Sequence, residues 1–241
     1  MNDGEQQRLK REAAARALAF VEDGMKLGLG TGTTAELFLE LLAERMRAGL
    51  KITGTPTSER TAALGRKLGI AMAELDALGT LDLVIDGADE ADGNLDLIKG
   101  GGGALLREKI VAASAKRMVV IADDSKLVDR LGAFALPVEV VAFGHGSTCA
   151  RISAAAAKLG YANLSPALRK KDGQAFHTDS GNVIYDCPFG EIADAKALAA
   201  SLSAIVGVVE HGLFVNMASA LVIAGAGGVR VIERRQRVSR R

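Results

Sequence analysis

The sequence has almost no net charge, with 30 Lys and Arg against 29 Asp and Glu, a formal +1 at pH 7. That excludes bulk attraction to nucleic acid or to an anionic membrane as its mode of action. Only two cysteines are present, Cys149 and Cys187, far apart and without CxxC spacing, which argues against a zinc site or a disulfide framework and leaves reduced, structural thiols. No apolar run reaches the length of a membrane span. The first 21 residues mix acids and bases ahead of their apolar face and lack the apolar core and small-residue cleavage site of a signal peptide. A cytoplasmic location is the resulting expectation. Aromatics make up only 4% of the chain, while hydrophobic residues make up 49% and charged residues 24%. This Ala-, Leu-, Val- and Gly-rich balance belongs to a soluble, compact α/β protein, large enough for one main domain with a smaller companion.

Order along the chain supports that class. Apolar residues recur at helical spacing from Leu9 to Val21, and MKLGLGTGTT then reads as a short strand entering a glycine turn. AELFLELLAERMRAG is an amphipathic helix ended by Gly49. KITGTPT, LDLVIDGAD and RMVVIAD read as buried strands, separated by the helices SERTAALGRKLG, with Ser58 as N-cap, and ALLREKIVAASA. Apolar strands alternating with helices imply a parallel sheet covered on both faces. From about Leu131 the pattern changes to FALPVEVVAF, a helix at STCARISAAAAKLG, a hairpin-like TDSGNVIYD and a helix at DAKALAASLSAI, which implies a smaller α+β unit with an antiparallel sheet. The last segment, from 208 onward, returns to the first sheet in this reading. The domain expectation is therefore 1–130 plus 208–241 for the main unit and 131–207 for the insertion. The basic end of the chain, with Arg234, Arg235, Arg237, Arg240 and Arg241, reads as a solvated terminus, with contact to an acidic partner as the alternative.

Two segments carry chemistry. Gly28, Gly30 and Gly32 stand between strand and helix as in a dinucleotide fold, but Thr33 occupies the place of the third glycine and no acid ends the next strand. What remains is a loop of backbone N–H groups and the Thr31, Thr33 and Thr34 hydroxyls at a helix start. It is either a cradle for a phosphate or sugar hydroxyls, or a structural turn with threonine caps.

Residues 85–110 read IDGADEADGNLDLIKGGGGALLREKI. Asp86 and Asp89 lie beyond the end of an apolar strand, where open α/β sheets bind ligands. A calcium loop aligned on Gly93 would put Ala88 first and Lys99 last, so calcium is unsupported. A magnesium site from Asp86 and Asp89 stays open at this point. Glu90, Asp92 and Asp96 read as solvated loop charges. Lys99 and the glycines after it, at 100–103, join an ammonium to backbone donors at a helix start, an arrangement suited to negative charge developing on oxygen. Glu108, apolar on most sides along its helix, is either a partly desolvated general base with a raised pKa or an exposed helix glutamate paired with a base.

Together the motifs resemble ribose-5-phosphate isomerase of the A type. The resemblance rests on GTGTTA at 30–35, DGADE at 86–90, IKGGGGALLREKI at 98–110, IADDSK at 121–126, LPVEV at 136–140 and the later GNVIYD and GLF. It implies an aldose–ketose isomerase that interconverts ribose 5-phosphate and ribulose 5-phosphate through an enediolate. Glu108 would be the base, with Asp86, Asp89 and Lys99 around the reacting carbons. Substrate would be bound by Thr31, Gly32, Thr33 and Thr34, by Asp86, Gly87, Ala88 and Asp89, and by Lys99, Gly100, Gly101 and Gly102, with Lys126 and Lys10. The resemblance further implies a Rossmann-like main domain with an inserted ferredoxin-like domain, no metal and no cofactor, no nucleic-acid or membrane partner, and a homodimer or homotetramer. Rival readings are a sugar-phosphate sensor, which would not need Glu108, a magnesium-dependent phosphotransfer enzyme, and an acyl-transferring relative of similar architecture.

Overall fold

The computed structural model describes residues 3–234. Arg235, Arg237, Arg240 and Arg241 of the basic end lie outside the described residues. Six strands form the main sheet, in the spatial order Gly228–Glu233, Ala220–Gly225, Met118–Asp123, Leu83–Asp86, Lys26–Leu29, Thr53–Pro56. All neighbours are parallel except the hairpin of the last two chain segments, whose Gly228–Glu233 strand closes one edge antiparallel. Every residue of Met118–Asp123 is buried, as expected for a parallel strand covered on both faces. Each fully buried Val or Ile there contributes about 1.5–3 kcal/mol of transfer free energy.

The Asp3–Ala17 helix buries Leu9, Ala13, Ala14 and Ala17 on one face, and these small residues let it lie close to the sheet. Thr33–Arg47 buries Phe38, Leu39 and Leu42 beside it. Ser58 caps the Glu59–Lys67 helix by accepting the Thr61 N–H. The first strand has its neighbours on opposite sides, Thr53–Pro56 and Leu83–Asp86. That reversal opens a crevice at the carboxyl ends of Lys26–Leu29 and Leu83–Asp86.

The smaller unit has a four-stranded antiparallel sheet in the order Val208–His211, Leu136–Val140, Val183–Cys187, Ala167–Leu168. Helices His145–Lys158 and Ala195–Ser203 join these strands in a ferredoxin-like βαββαβ order. Because Val208–His211 pairs with Leu136–Val140, we propose that the insertion runs to His211 rather than ending at 207. A third, three-stranded antiparallel sheet links the units, from Glu90–Ala91, Leu97–Ile98 and Leu213–Phe214. It fixes the position of Lys99, whose backbone N–H donates to the Gly212 carbonyl at 2.9 Å.

Three carboxylates expected to be solvated are braces instead. Glu90 is buried and accepts the backbone N–H groups of Gly132, at 2.7 Å, and of Phe134. Asp92 Oδ1 accepts from Asn94 and Asp96 N–H, both at 2.9 Å. Asp96 accepts the Asn216 N–H at 2.8 Å and faces Arg234 at 3.6 Å. Arg234 also donates to the Ala218 and Leu95 carbonyls and to Asn216 Oδ1. Arg234, at the start of the basic end, is therefore tied down by its guanidinium, which joins the 95–96 turn to the segment 216–218.

Candidate active site

Four chain segments converge at the crevice. The 30–34 loop leaves the first strand, 86–89 leaves the third, 99–103 crosses beneath, and the Leu105–Ala113 helix rises from the glycine turn. Lys10, Thr31, Gly32, Thr33, Thr34, Gly87, Ala88, Asp89, Lys99, Gly100, Gly101, Gly102, Glu108 and Lys126 line one cavity of about 150 Å³. Asp86 does not line it. Its side chain lies directly beneath, with no solvent exposure.

Asp86 Oδ1 accepts the Thr31 N–H at 3.1 Å and the Gly87 N–H at 2.7 Å, which joins two of the segments. A Cβ built on Gly30 would overlap the Asp86 carboxyl and Cα. Glycine is therefore required at position 30 for close approach. Asp86 Oδ2 lies 2.9 Å from Lys99 Nζ, and that nitrogen also donates to the Gly87 carbonyl at 2.6 Å. Glu108 Oε2 is 3.5 Å from the same ammonium, an ion-pair distance without a hydrogen bond, and it has no other polar partner. Asp86, Lys99 and Glu108 are each at most 3% exposed.

One cation thus serves two buried carboxyls. Burial pushes the Glu108 carboxyl up to about 8; Lys99 opposes that rise, and Asp86 and Asp89 reinforce it. Burial also raises Asp86 against the pull of Lys99. Asp86 has the shorter lysine contact and two backbone donors, whereas Glu108 Oε2 faces the ammonium alone. Burial by itself would lower the Lys99 ammonium, but the Asp86 and Glu108 carboxylates outweigh it and hold the pKa above the usual lysine range. Phe214, fully buried, has Lys99 Nζ at 5.5 Å and Lys109 Nζ at 4.9 Å from its ring centroid. Its ring adds a cation–π contact to the lysine. That residue carried no role in the sequence reading, since nothing local marks a core phenylalanine as facing an ammonium.

The glycine turn divides by use. Gly100 and Gly103 have positive φ, +105° and +82°, and a side chain on Gly101 would strike Asp89, whose Oδ2 accepts the Gly101 N–H at 2.7 Å. Gly102 is exposed, with only Thr31 Cγ2 within contact range of a built Cβ. Sterics thus explain three of the four glycines and leave the fourth as bare backbone facing the cavity.

On the opposite wall Thr31 Oγ1 sits in a hydroxyl cluster, 2.7 Å from Thr57, 2.8 Å from Ser58 and 3.1 Å from Thr61. This cluster escaped sequence reading because its members come from both sides of a strand connection. The Thr33–Arg47 helix has Gly32 as its N-cap and no side-chain cap, which removes the reading of the threonines as caps. Lys10 Nζ donates to Thr33 Oγ1 at 3.2 Å. Lys10, Lys126 and the helix start therefore make the cavity mouth positive. A larger cavity of about 530 Å³ lies beyond Ser58, lined by Arg66, Met72 and Arg107 among others. None of the buried charges reaches it.

Comparison with known proteins places the chain among relatives of one family. The family described as ribose 5-phosphate isomerase A (phosphoriboisomerase A) matches residues 53–228. Curated relatives named ribose-5-phosphate isomerase A include one from Rhodopseudomonas palustris strain TIE-1, 58% identical over 95% of this chain and 99% of its own. Another, from Brucella suis, is 56% identical over the same shares. Among solved structures, ribose 5-phosphate isomerase from Plasmodium falciparum superposes with a TM-score of 0.91 at 37% identity, covering 95% of this chain and 99% of the other. A D-ribose-5-phosphate isomerase in complex with phospho-erythronic acid superposes with a TM-score of 0.88 at 37% identity, covering 97% and 100%.

Proposed function

The chain belongs to the ribose 5-phosphate isomerase A family and interconverts ribose 5-phosphate and ribulose 5-phosphate through an enediolate, and we propose that Glu108 carries the proton between C2 and C1. The observation that supports this role most directly is the placement of Glu108 Oε2: buried, without a hydrogen-bond donor, and 3.5 Å from a single ammonium. A carboxylate so poorly solvated is a stronger base than one in water, and burial pushes its pKa up to about 8, within reach of neutrality.

In the open-chain aldose the base removes the C2 proton, and charge accumulates on O1 and O2. Lys99, with the Gly102 backbone at the cavity face, stabilises that charge in a site that burial keeps at low dielectric. Asp86 acts from beneath by orienting Lys99, while Asp89, which lines the cavity, is placed to exchange hydroxyl protons. Return of the proton from Glu108 to C1 gives the ketose. The phosphate lies at the mouth, against Lys10, Lys126 and the start of the Thr33–Arg47 helix. Phospho-erythronic acid, found bound to a related isomerase, is chemically consistent with this arrangement, since its carboxylate offers two oxygens on one carbon plane, as the enediolate does on two.

The site needs no divalent cation in this scheme, because Lys99 Nζ already stands between the two carboxyls where such an ion would bind. Among the described residues no group of three or more His, Cys, Asp and Glu side chains forms a metal-binding cluster, and no helix is long and apolar enough to cross a membrane. We infer a cytoplasmic enzyme that assembles as a homodimer or homotetramer. In support of assembly, Phe143 and Val206 are 92% and 81% exposed, with Val141 nearby on the smaller unit.

A ¹³C time course of ribose 5-phosphate in D₂O, with and without EDTA, tests the scheme. Ketose formation at equal rates in both, with solvent deuterium entering the sugar at C1, is the expected result. Dependence on added metal would overturn it.

A further inference from the structure

Arg169 belongs to the smaller unit, just after its Ala167–Leu168 strand, yet its guanidinium reaches into the main unit. Nη1 donates to the Gly100 carbonyl at 2.8 Å and to the Gly101 carbonyl at 3.2 Å. The other edge of the guanidinium is held by Asp186, with Nε to Oδ2 at 3.0 Å and Nη2 to Oδ1. Arginine is suited to this bridge because its planar fork can hold a carboxylate on one edge and two carbonyls on another, which a lysine ammonium cannot match.

The chain just beyond Arg169 reinforces the contact. The Phe176 N–H donates to the Arg169 carbonyl at 2.9 Å, and the Phe176 ring packs where a Cβ on Gly103 would stand. A short hairpin, Lys170–Lys171 paired with Gln174–Ala175, connects the two residues. The smaller unit therefore grips the glycine turn at both ends.

Those two carbonyls belong to particular peptide groups. The Gly100 carbonyl shares its peptide plane with the Gly101 N–H, which binds Asp89, and the Gly101 carbonyl shares its plane with the Gly102 N–H at the cavity face. A cationic donor on a peptide oxygen draws electron density through the amide and makes its N–H a stronger donor. We propose that Arg169, held by Asp186, is a positioning residue of the isomerase reaction, orienting and polarising the 100–102 turn toward the enediolate. This rests on the reading of that turn as part of the oxyanion site.

The measurement is kcat, KM and the Kd of 4-phosphoerythronate for the wild type and for Arg169→Met, Arg169→Lys and Asp186→Asn, with thermal midpoints alongside. Removing one oxyanion donor outright costs roughly 10²- to 10³-fold in rate, so weakening one predicts a kcat loss of roughly tenfold in Arg169→Met. The analogue's Kd should rise by a similar factor while KM stays within about threefold. Arg169→Lys and Asp186→Asn should fall between, since each retains a cation near the carbonyls. A purely structural role would lower the thermal midpoint and active fraction without changing the analogue's Kd for the folded enzyme. If Arg169→Met and Arg169→Lys both leave kcat and analogue Kd at wild-type values while Lys99→Met loses analogue binding, Arg169 has no such role and the oxyanion site stands. If Lys99→Met also leaves analogue binding unchanged, the reading of the site itself has failed.

Discussion

Glu108→Gln should impair the enzyme and at the same time stabilise the fold at alkaline pH. The side chain is 3% exposed, and its carboxyl rises from 4.5 to about 8. Each pKa unit corresponds to about 1.36 kcal/mol between protonation states, so the ionised form is disfavoured by roughly 5 kcal/mol at most, an upper figure that already includes the attraction of Lys99. Relaxation and water entry reduce this to an expected 2–3 kcal/mol, about half the upper figure. The sign follows from linkage: the unfolded chain releases this proton near 4.5, the folded protein only near 8. Wild-type stability therefore falls as pH rises through that window and stays low above it. Gln removes this loss, since it has the shape of the neutral acid and no charge. Urea denaturation of both proteins at pH 4.5, 6 and 9 measures the difference, which should be small at the first pH and largest at the last. In parallel kcat should fall about 10²- to 10⁴-fold, the usual worth of a general base, with KM within a few-fold and deuterium exchange at the sugar lost. Near-normal turnover would end the assignment of Glu108 as base. Equal pH 9 stabilities would show that its charge is not desolvated as the structure requires.

Wild-type kcat/KM should climb with pH, reach half its plateau near 8 as Glu108 loses its proton and level off about one unit above; because a sugar phosphate titrates at about 6, a profile already flat from pH 6.5 to 9 would contradict this. Lys99→Ala leaves Asp86 and Glu108 without their shared cation and should weaken both substrate binding and rate. Its fold should lose about 3–5 kcal/mol, so steady-state kinetics and denaturation together check it, and unchanged kinetics would remove Lys99 from the site. Lys10→Ala and Lys126→Ala should each raise KM for ribose 5-phosphate about tenfold, the worth of one charge-assisted hydrogen bond, with much smaller effects on kcat; an unchanged KM in both would move the phosphate away from the mouth. Gly30→Ala should abolish activity by displacing Asp86, and a crystal structure with Asp86 in place would refute that steric argument.

Local pattern determined much of this molecule. Apolar runs such as Met118–Asp123 are buried along their whole length, and Ser58 caps the helix that its position predicts, because strand burial and capping depend on near neighbours in the chain. The segments at 31–34, 86–89, 99–102 and 108 stand out in sequence as motifs, yet only folding shows that sterics account for Gly100, Gly101 and Gly103 and leave Gly102 as bare backbone. What the residue types leave open is depth and partnership. Glu90 and Asp86 belong to the same acidic segment, yet one braces the 132–134 loop and the other supports Lys99. Arg169 and Phe214 look ordinary in sequence and gain their contacts with the glycine turn and with Lys99 only when the smaller unit and the linking sheet bring them there. The tertiary structure alone also decides that Glu108 is buried beside Lys99 rather than an exposed helix charge. A carboxyl's proton affinity is set by the water removed from it and the charges around it, and those come from segments distant in sequence that only folding assembles.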